Sequence, residues 1–523
     1  MNSKTHFPQN PSPFRLYFTV TLNTLLMFGF FIWLAHTRNV DGDEGLYLEA
    51  ARLVFEGKKL YLDFFYQQMP LIPYLYAGWM KIFGFTLYAG RYLSALLTAL
   101  ACWAALFYIA RASKNLGVLY VSAILLFANG VLLAWAPVIK THPLNMFTLT
   151  LSAVLLLEWR KNLKKPFWMI AVAAFAIGIG VNARLTLAPF VPIYLGFVYF
   201  YSPQKIKHSL LFLSIILLTS LPTLYYFFSD PQLFIRFNFT YHTHIFPGIA
   251  SAETRLAIAT WIFARLHFFI LIALVQLGIL YSISSPFDSP STSSGSLRAG
   301  SFTLHSFLKS DEGFISLLLL VFIAVHLSTA EPFTQYFSAM VPLMVMATLP
   351  FLEKMLVPLT SLKLKFLIPA LILYLFTSTA QKGFEIYSVG SDDPFWKLSN
   401  IESTIRAVQK IVKPGDYCLT WWPGYAFMAG CQSVPGMENH MRTHAIDVGI
   451  PGHTLQEYKM MSDEKLSELL QENKYDILID GAYHLKGPLT PQIEFMIWKN
   501  YHLIQKIEEV KIYRKQEARG DIF

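Results

Sequence analysis

Three carboxylates, Asp41, Asp43 and Glu44, crowd together directly after a long apolar run. They open the stretch NVDGDEGLYLEAARLVFEGKKLYLDFFYQQMPLIPYLYAGWMKIFG. Two chemistries suit such a group: capping and pairing with the dipole of a helix, or acid–base work at a membrane surface. Asp43 fits the first, because its side chain can accept a backbone N–H from a helix beginning at Glu44. That helix is predicted to run to about Phe55–Glu56 and to stop at Gly57, with Leu46, Ala50, Leu53 and Val54 on one face. Pro70 opens a second segment carrying Tyr74, Tyr76, Trp79 and Phe83, an aromatic density that suits the headgroup layer. The acidic group is therefore expected beside the membrane, held by two short interfacial helices.

The elements that position this loop are read from hydropathy. The 523 residues are 54% hydrophobic and only 14% charged, whereas soluble domains are about one-quarter charged. The apolar residues gather in runs long enough to cross a bilayer: 16–35, 88–110, 117–136, 143–157, 166–183, 185–201, 209–229, 264–283, 313–329, 337–351 and 366–380. The expected fold is an α-helical polytopic membrane protein of about eleven transmembrane helices. Pro189, Pro192, Pro222 and Pro342 fall inside these runs, as membrane helices allow. The first run has no small-residue cleavage site and reads as a retained anchor.

Charge orients the chain. With a cytoplasmic N-terminus, the inside segments hold Lys4, Arg15, Arg111, Lys114, Arg160, Lys161, Lys164, Lys165, Lys205, Lys207, Arg298, Lys309, Lys354, Lys363 and Lys365. The short outside loops hold only Lys140, Arg184, Arg236 and Arg255. This bias places loop 36–87 and the tail 381–523 outside, in a multi-pass protein of the inner (plasma) membrane type. It also accounts for the net charge of +9, so no nucleic-acid partner is implied. The Ser/Gly/Pro-rich stretch 284–312 reads as a cytoplasmic linker.

The tail differs in kind. STIRAVQKIV and DEKLSELLQEN have helical patterns, DYCLTWW and YDILID read as strands, and EEVKIYRK as an edge strand. That alternation predicts a soluble α/β domain over 381–523, following a membrane domain over 1–380. Of the three cysteines, Cys102 lies in an apolar run, while Cys418 and Cys431 could pair if the tail is extracytoplasmic. No His/Cys/Asp cluster has metal-ligand spacing. The NFT at Asn238 is a glycosylation sequon, useful only to a host that glycosylates.

The chain resembles the GT-C membrane glycosyltransferases, specifically the protein O-mannosyltransferase and aminoarabinose transferase superfamily. The acid pair Asp43–Glu44 follows the first helix, with Tyr47 and Ala51 after it. EGKKLYLDFFYQQMPLIPYLYAGWMKIFG then matches a G-x-x-x-Y-x-D…P-L-x-x-Y…G segment, continued by Gly84, Arg91 and Ser94. GVNARLTLAPFVP and EPFTQYFSAMVPLM look like later family segments, and the tail like the soluble domain of some bacterial members. The resemblance is specific over residues 41–94 and implies transfer of a sugar from a polyprenyl phosphate to an acceptor hydroxyl on the outer face, with inversion. The acceptor could be a lipid, a glycan or a protein. The family's acid pair falls on Asp43 and Glu44.

Such a transfer needs a base near the acceptor hydroxyl and cations near the leaving phosphate. A carboxylate of ordinary pKa ~4 takes the proton late, as the sugar–phosphate bond breaks. Candidates for the donor phosphate and sugar are Arg91, Lys140, His142, Arg184, His242, Tyr336 and Asp63, with His244, Arg236 and Gln335 nearby. Each has a plainer reading. Arginines snorkel, Tyr336 suits an aromatic belt, the histidines fit ordinary loops, and Asp63 can pair with Lys58 or Lys59. No cofactor is required, although the use of a divalent cation by some GT-C enzymes leaves that point open. A secondary transporter or lipid flippase would need ionisable groups at helix centres, where this chain is apolar. A membrane scaffold with a partner-binding tail predicts no role for Asp43.

Overall fold

The structure, a computed structural model, describes residues 11–242, 251–263, 275, 310–329, 333–356, 394–483 and 490–516. The expected spans 264–283 and 366–380, His244 and nearly all of the 284–312 linker lie outside these residues. The last linker residues open the helix Asp311–Leu327, which Ser310 caps through the Gly313 N–H.

The membrane part begins with α1 (Pro13–Thr37), α2 (Gly42–Phe55), α3 (Leu71–Phe83) and α4 (Leu87–Ser113). It continues with α5 (Leu116–Phe127), α6 (Gly130–Trp135), α7 (His142–Lys161) and α8 (Phe167–Ala183). Helices α1, α4, α7 and α8 pack in succession, and α4 is buried for most of its length. By length and composition, α1 and α4 could each cross a bilayer, or up to four spans if each bent pair counts as one. The described residues thus do not reach the eleven spans expected.

Three of the expected runs are interrupted by local features. The run 117–136 is split, because Asn129 accepts from the Leu132 N–H and restarts the chain as α6. The run 209–229 breaks between Lys205–Thr219 and Leu221–Ser229, bent by 53° just before Pro222, which has no N–H to continue the ladder. The run 337–351 is likewise bent, by 41°, between residues 335–347 and 349–356.

The C-terminal part carries a five-stranded sheet. Its strands are β1 (Tyr417–Thr420), β2 (Gln432–Ser433), β3 (Ile477–Asp480), β4 (Tyr501–Ile507) and β5 (Val510–Lys515), in the order β2-β1-β3-β5-β4. Strands β2, β1 and β3 are parallel, and β5 and β4 complete the sheet antiparallel. Here EEVKIYRK is corrected: Val510–Lys515 pairs on both sides and is interior. Glu508 and Glu509 are the turn that brings β4 to the edge. Side chains alternate between the two faces. Cys418, Ile477 and Ile479 join one core, while Leu419 and Leu478 join another with Leu466, Leu470 and Ile493. A Cys418–Cys431 disulfide, with Cα atoms 5.8 Å apart, ties β1 to the end of the helix Pro423–Ala429.

The first of those cores does not stop within the C-terminal part. It runs from Leu46, Leu53 and Tyr76 of α2 and α3 into Trp422, Tyr425 and Phe427 of the tail. Hence α2 is not an interfacial helix with one buried face: Glu44–Ala51 is buried without interruption, covered by α3 and the helix Pro423–Ala429. Two glycines permit this. A Cβ on Gly45 would lie 2.6 Å from the Trp422 indole nitrogen and 2.7 Å from the Gly424 backbone nitrogen, and one on Gly42 would strike Tyr483.

Candidate active site

The first turn of α2 is built by a reciprocal cap. Asp41, not Asp43, is the N-cap: its carboxylate accepts the Asp43 N–H at 3.0 Å, and Glu44 reaches back to the Asp41 N–H at 2.9 Å. The helix therefore starts at Gly42, and the capping role expected of Asp43 is filled two residues earlier. Asp43 is released from backbone duty, with about a quarter of its side chain (27%) open.

Glu44 is fully enclosed. It accepts from Arg91 Nε at 2.9 Å and Nη2 at 2.7 Å, and from the Ile139 N–H at 3.3 Å. Burial alone would raise its pKa, but Arg91 outweighs that and the group is lowered. Arg91 sends its remaining N–H groups to the carbonyls of Ala35, Arg38 and Asn39. All the guanidinium donors are thus committed, which corrects the placement of Arg91 at a donor phosphate. It is a clamp fastening α4, the end of α1 and the start of α2.

Lys140 comes from the loop between α6 and α7. Its ammonium lies 2.9 Å from Asp41 Oδ1 and 2.8 Å from Asp43 Oδ2, and donates to Gln335 Oε1 at 2.8 Å. Burial works against its charge, but the two aspartates more than offset this and raise its pKa. For Asp43 the balance runs the other way. Burial pushes the carboxyl up, yet Lys140 and the nearby His440 hold it well below the usual carboxylate range. An ammonium already occupies the place where Asp41 and Asp43 converge, so this carboxylate pair does not fit a divalent cation. Among the described residues, no group of three or more His, Cys, Asp or Glu could hold a metal.

Beside Asp43 lies a second cluster. Arg184 stacks on the Tyr336 ring at 4.1 Å and, among the described residues, makes one side-chain hydrogen bond, to Thr141 Oγ1 at 3.2 Å. His142 and His326 flank Tyr336, each with ring centroids 5.5 Å from it. Tyr47 links the two clusters, since it feels the charges of both Asp43 and Arg184, and its hydroxyl donates to Gln68 at 2.9 Å. The result is a carboxylate beside a cationic, aromatic wall whose guanidinium is sparingly bonded.

The other two sequence candidates sit at the periphery. His242 contacts the Gln67 carbonyl at 2.9 Å, and Gln67 in turn accepts from Asn439 of the tail at 3.0 Å. Asp63 is exposed and accepts the Lys59 backbone N–H at 2.6 Å, the contact of a turn cap rather than a sugar ligand. Asn238 is enclosed in a π-helical turn with its amide donating to the Phe234 carbonyl, which closes the sequon.

Sequence reasoning missed His326, His440 and Tyr483. His326 sat in an apolar run, where a lone ionisable residue was the available signal. His440 and Tyr483 lie in tail loops without periodicity. Nothing local marks them, yet the His440 ring stacks on Tyr483 at 4.4 Å and points Nε2 at Asp43 Oδ1, 3.4 Å away.

The fold is shared with solved GT-C membrane glycosyltransferases. The chain is similar to ArnT from Cupriavidus metallidurans bound to undecaprenyl phosphate, with a TM-score of 0.65, 10% identity, and 97% of this chain and 99% of that one covered. The apo state of the same protein gives 0.51 and 12% identity, over 94% and 97% of the two chains. The arabinofuranosyltransferase AftD from Mycobacteria (mutant R1389S) gives 0.50 and 12%, covering 97% of this chain and 42% of that one. No protein-family model and no curated protein sequence matches the chain.

Proposed function

We propose that the chain is an integral membrane glycosyltransferase. It moves a sugar from a polyprenyl-phosphate donor to an acceptor hydroxyl on the outer face, with inversion. The observation that carries this reading is Asp43: a carboxylate freed from capping, partly open, charge-balanced by Lys140 and set beside the Arg184–Tyr336 pair. Undecaprenyl phosphate, named with the structure of TM-score 0.65, supports a lipid-phosphate donor.

In this reading Asp43 accepts the acceptor's proton as the new O–C1 bond forms. The C1–O bond to phosphate breaks with its electron pair left on the phosphate oxygen. Arg184, with Tyr336, His142 and His326 around it, receives that developing charge. Lys140 holds Asp41 and Asp43 in one geometry and keeps Asp43 ionised, and Glu44 with Arg91 fixes the helix start from which Asp43 projects. The Cys418–Cys431 bond supports an extracytoplasmic tail, where disulfides persist, and so agrees with the Lys/Arg bias.

The test is incubation of the purified protein with a panel of radiolabelled polyprenyl-phosphate pentoses and hexoses and cell-envelope extract. A labelled product formed by wild type and lost in Asp43→Asn is the expected result. No product from any donor, or equal product from both proteins, would sink the reading.

A further inference from the structure

We propose that His440, supplied by the C-terminal domain, takes over from Asp43 the proton removed from the acceptor. The soluble domain would then complete the active site rather than merely cover it. This inference rests on reading Asp43 as the proton acceptor.

Four observations converge on His440. Its side chain is fully buried at the start of the helix Met441–Asp447. Among the described residues neither ring nitrogen has a hydrogen-bond partner, and the 3.4 Å approach of Nε2 to Asp43 Oδ1 misses hydrogen-bond geometry. A buried polar group left in that condition is uncommon and costly. The ring is instead held by stacking, 4.4 Å from Tyr483 and within 10° of parallel. That fixes its direction while leaving both nitrogens uncommitted. Finally, the two oxygens of Asp43 are divided, with Oδ2 on Lys140 and Oδ1 toward His440.

The division matters chemically. A carboxylate next to an ammonium gains little by keeping a proton, so a group beside it with higher proton affinity will draw that proton off. An imidazole, a stronger base than a carboxylate as a chemical class, is such a group. The step is balanced as follows. The acceptor O–H breaks and its proton goes to Asp43 as the acceptor oxygen bonds C1 and phosphate departs. The proton then moves from Asp43 Oδ1 to His440 Nε2, leaving aspartate and imidazolium, and once product has left, the imidazolium returns the proton to water through the partly open Asp43. The charged and titratable groups facing His440 are Asp43, with Asp41 and Lys140 behind it, from the membrane domain, and His444 and Tyr483 from its own domain.

His440→Gln and His440→Phe test the proposal, the second keeping an aromatic ring to stack on Tyr483. Asp43→Asn is measured in parallel, with the labelled donor that wild type uses. Both His440 variants are expected to melt like wild type, to bind undecaprenyl phosphate with unchanged Kd, and to lose about 10–10²-fold in kcat with KM little changed. Wild-type kcat should fall on the acid side, where an imidazole that already carries a proton can accept no other, and the phenylalanine variant should lack that acid limb. Wild-type kcat in either variant, recovery by phenylalanine alone, or an acid limb that persists without the imidazole overturns the proposal. An active Asp43→Asn protein would instead overturn the reading on which it rests, so the two failures are distinct.

Discussion

The Lys140 ammonium stands 2.8 Å from Asp43 and 2.9 Å from Asp41, so one cation is shared by the N-cap and the proposed base of α2. Because Asp41 does the capping, the two roles can be separated by mutation. Asp43→Asn and Asp43→Ala should both leave the melting temperature nearly unchanged while lowering turnover ~10²–10⁴-fold. Asp41→Ala should instead cost ~1 kcal/mol of stability through the lost cap. Thermal melts and turnover measured on the same preparations check this.

Arg184 and Lys140 should fail differently. Arg184→Ala removes the sparingly bonded guanidinium and should weaken undecaprenyl phosphate binding by roughly 10–100-fold, the worth of one or two charged hydrogen bonds. Lys140→Ala leaves two adjacent carboxylates without their shared cation, so its main effect should fall on kcat and stability. A direct binding titration beside steady-state kinetics separates the two.

Arg91→Ala should be a folding defect rather than a binding defect. It strands Glu44 as a buried, unpaired carboxylate and leaves three carbonyls without their donor. Breaking such a pair costs ~3–5 kcal/mol. Loss of the monodisperse, folded protein in detergent is the expected outcome.

Gly45→Ala should loosen the soluble domain from α2, because the new methyl meets the Gly424 backbone, which cannot swing away as a side chain can. Limited proteolysis should then cut between the domains sooner than in wild type, and turnover should fall as His440 leaves Asp43.

Glu438 provides a pH signature. Burial pushes its carboxyl up to about 7, despite the Gly436 N–H that donates to it at 2.6 Å, and nearby Glu49 adds repulsion. The folded pKa exceeds the unfolded one, so this stabilisation is complete below about pH 4.5 and is lost as pH rises through 7. The full effect is up to roughly 3 kcal/mol. The melting temperature of wild type should rise on going from pH 8 to pH 5.5, and Glu438→Gln should flatten that rise.

The acidic loop, the helices around it and the α/β character of the tail were legible because each is local. Apolar runs, a cap followed by a hydrophobic face, and alternating strands are written in neighbouring residues. Asp43, Lys140 and Arg184 could be singled out the same way, as charges at the ends of apolar runs. Their partners could not. Asp43 is free of capping because Glu44 closes the box on Asp41 while being held itself by Arg91 of another helix, and whether Arg91 meets a phosphate depends on Glu44 and three carbonyls at and just past the end of α1. The burial of α2 on all sides depends on a domain nearly four hundred residues later in the chain, whose Trp422 donates to the Gly42 carbonyl. Sequence thus determined which groups carry charge beside the membrane. Only tertiary structure decided how those charges are shared, because hydrogen bonds and desolvation act over a few ångströms of space, whatever the separation along the chain.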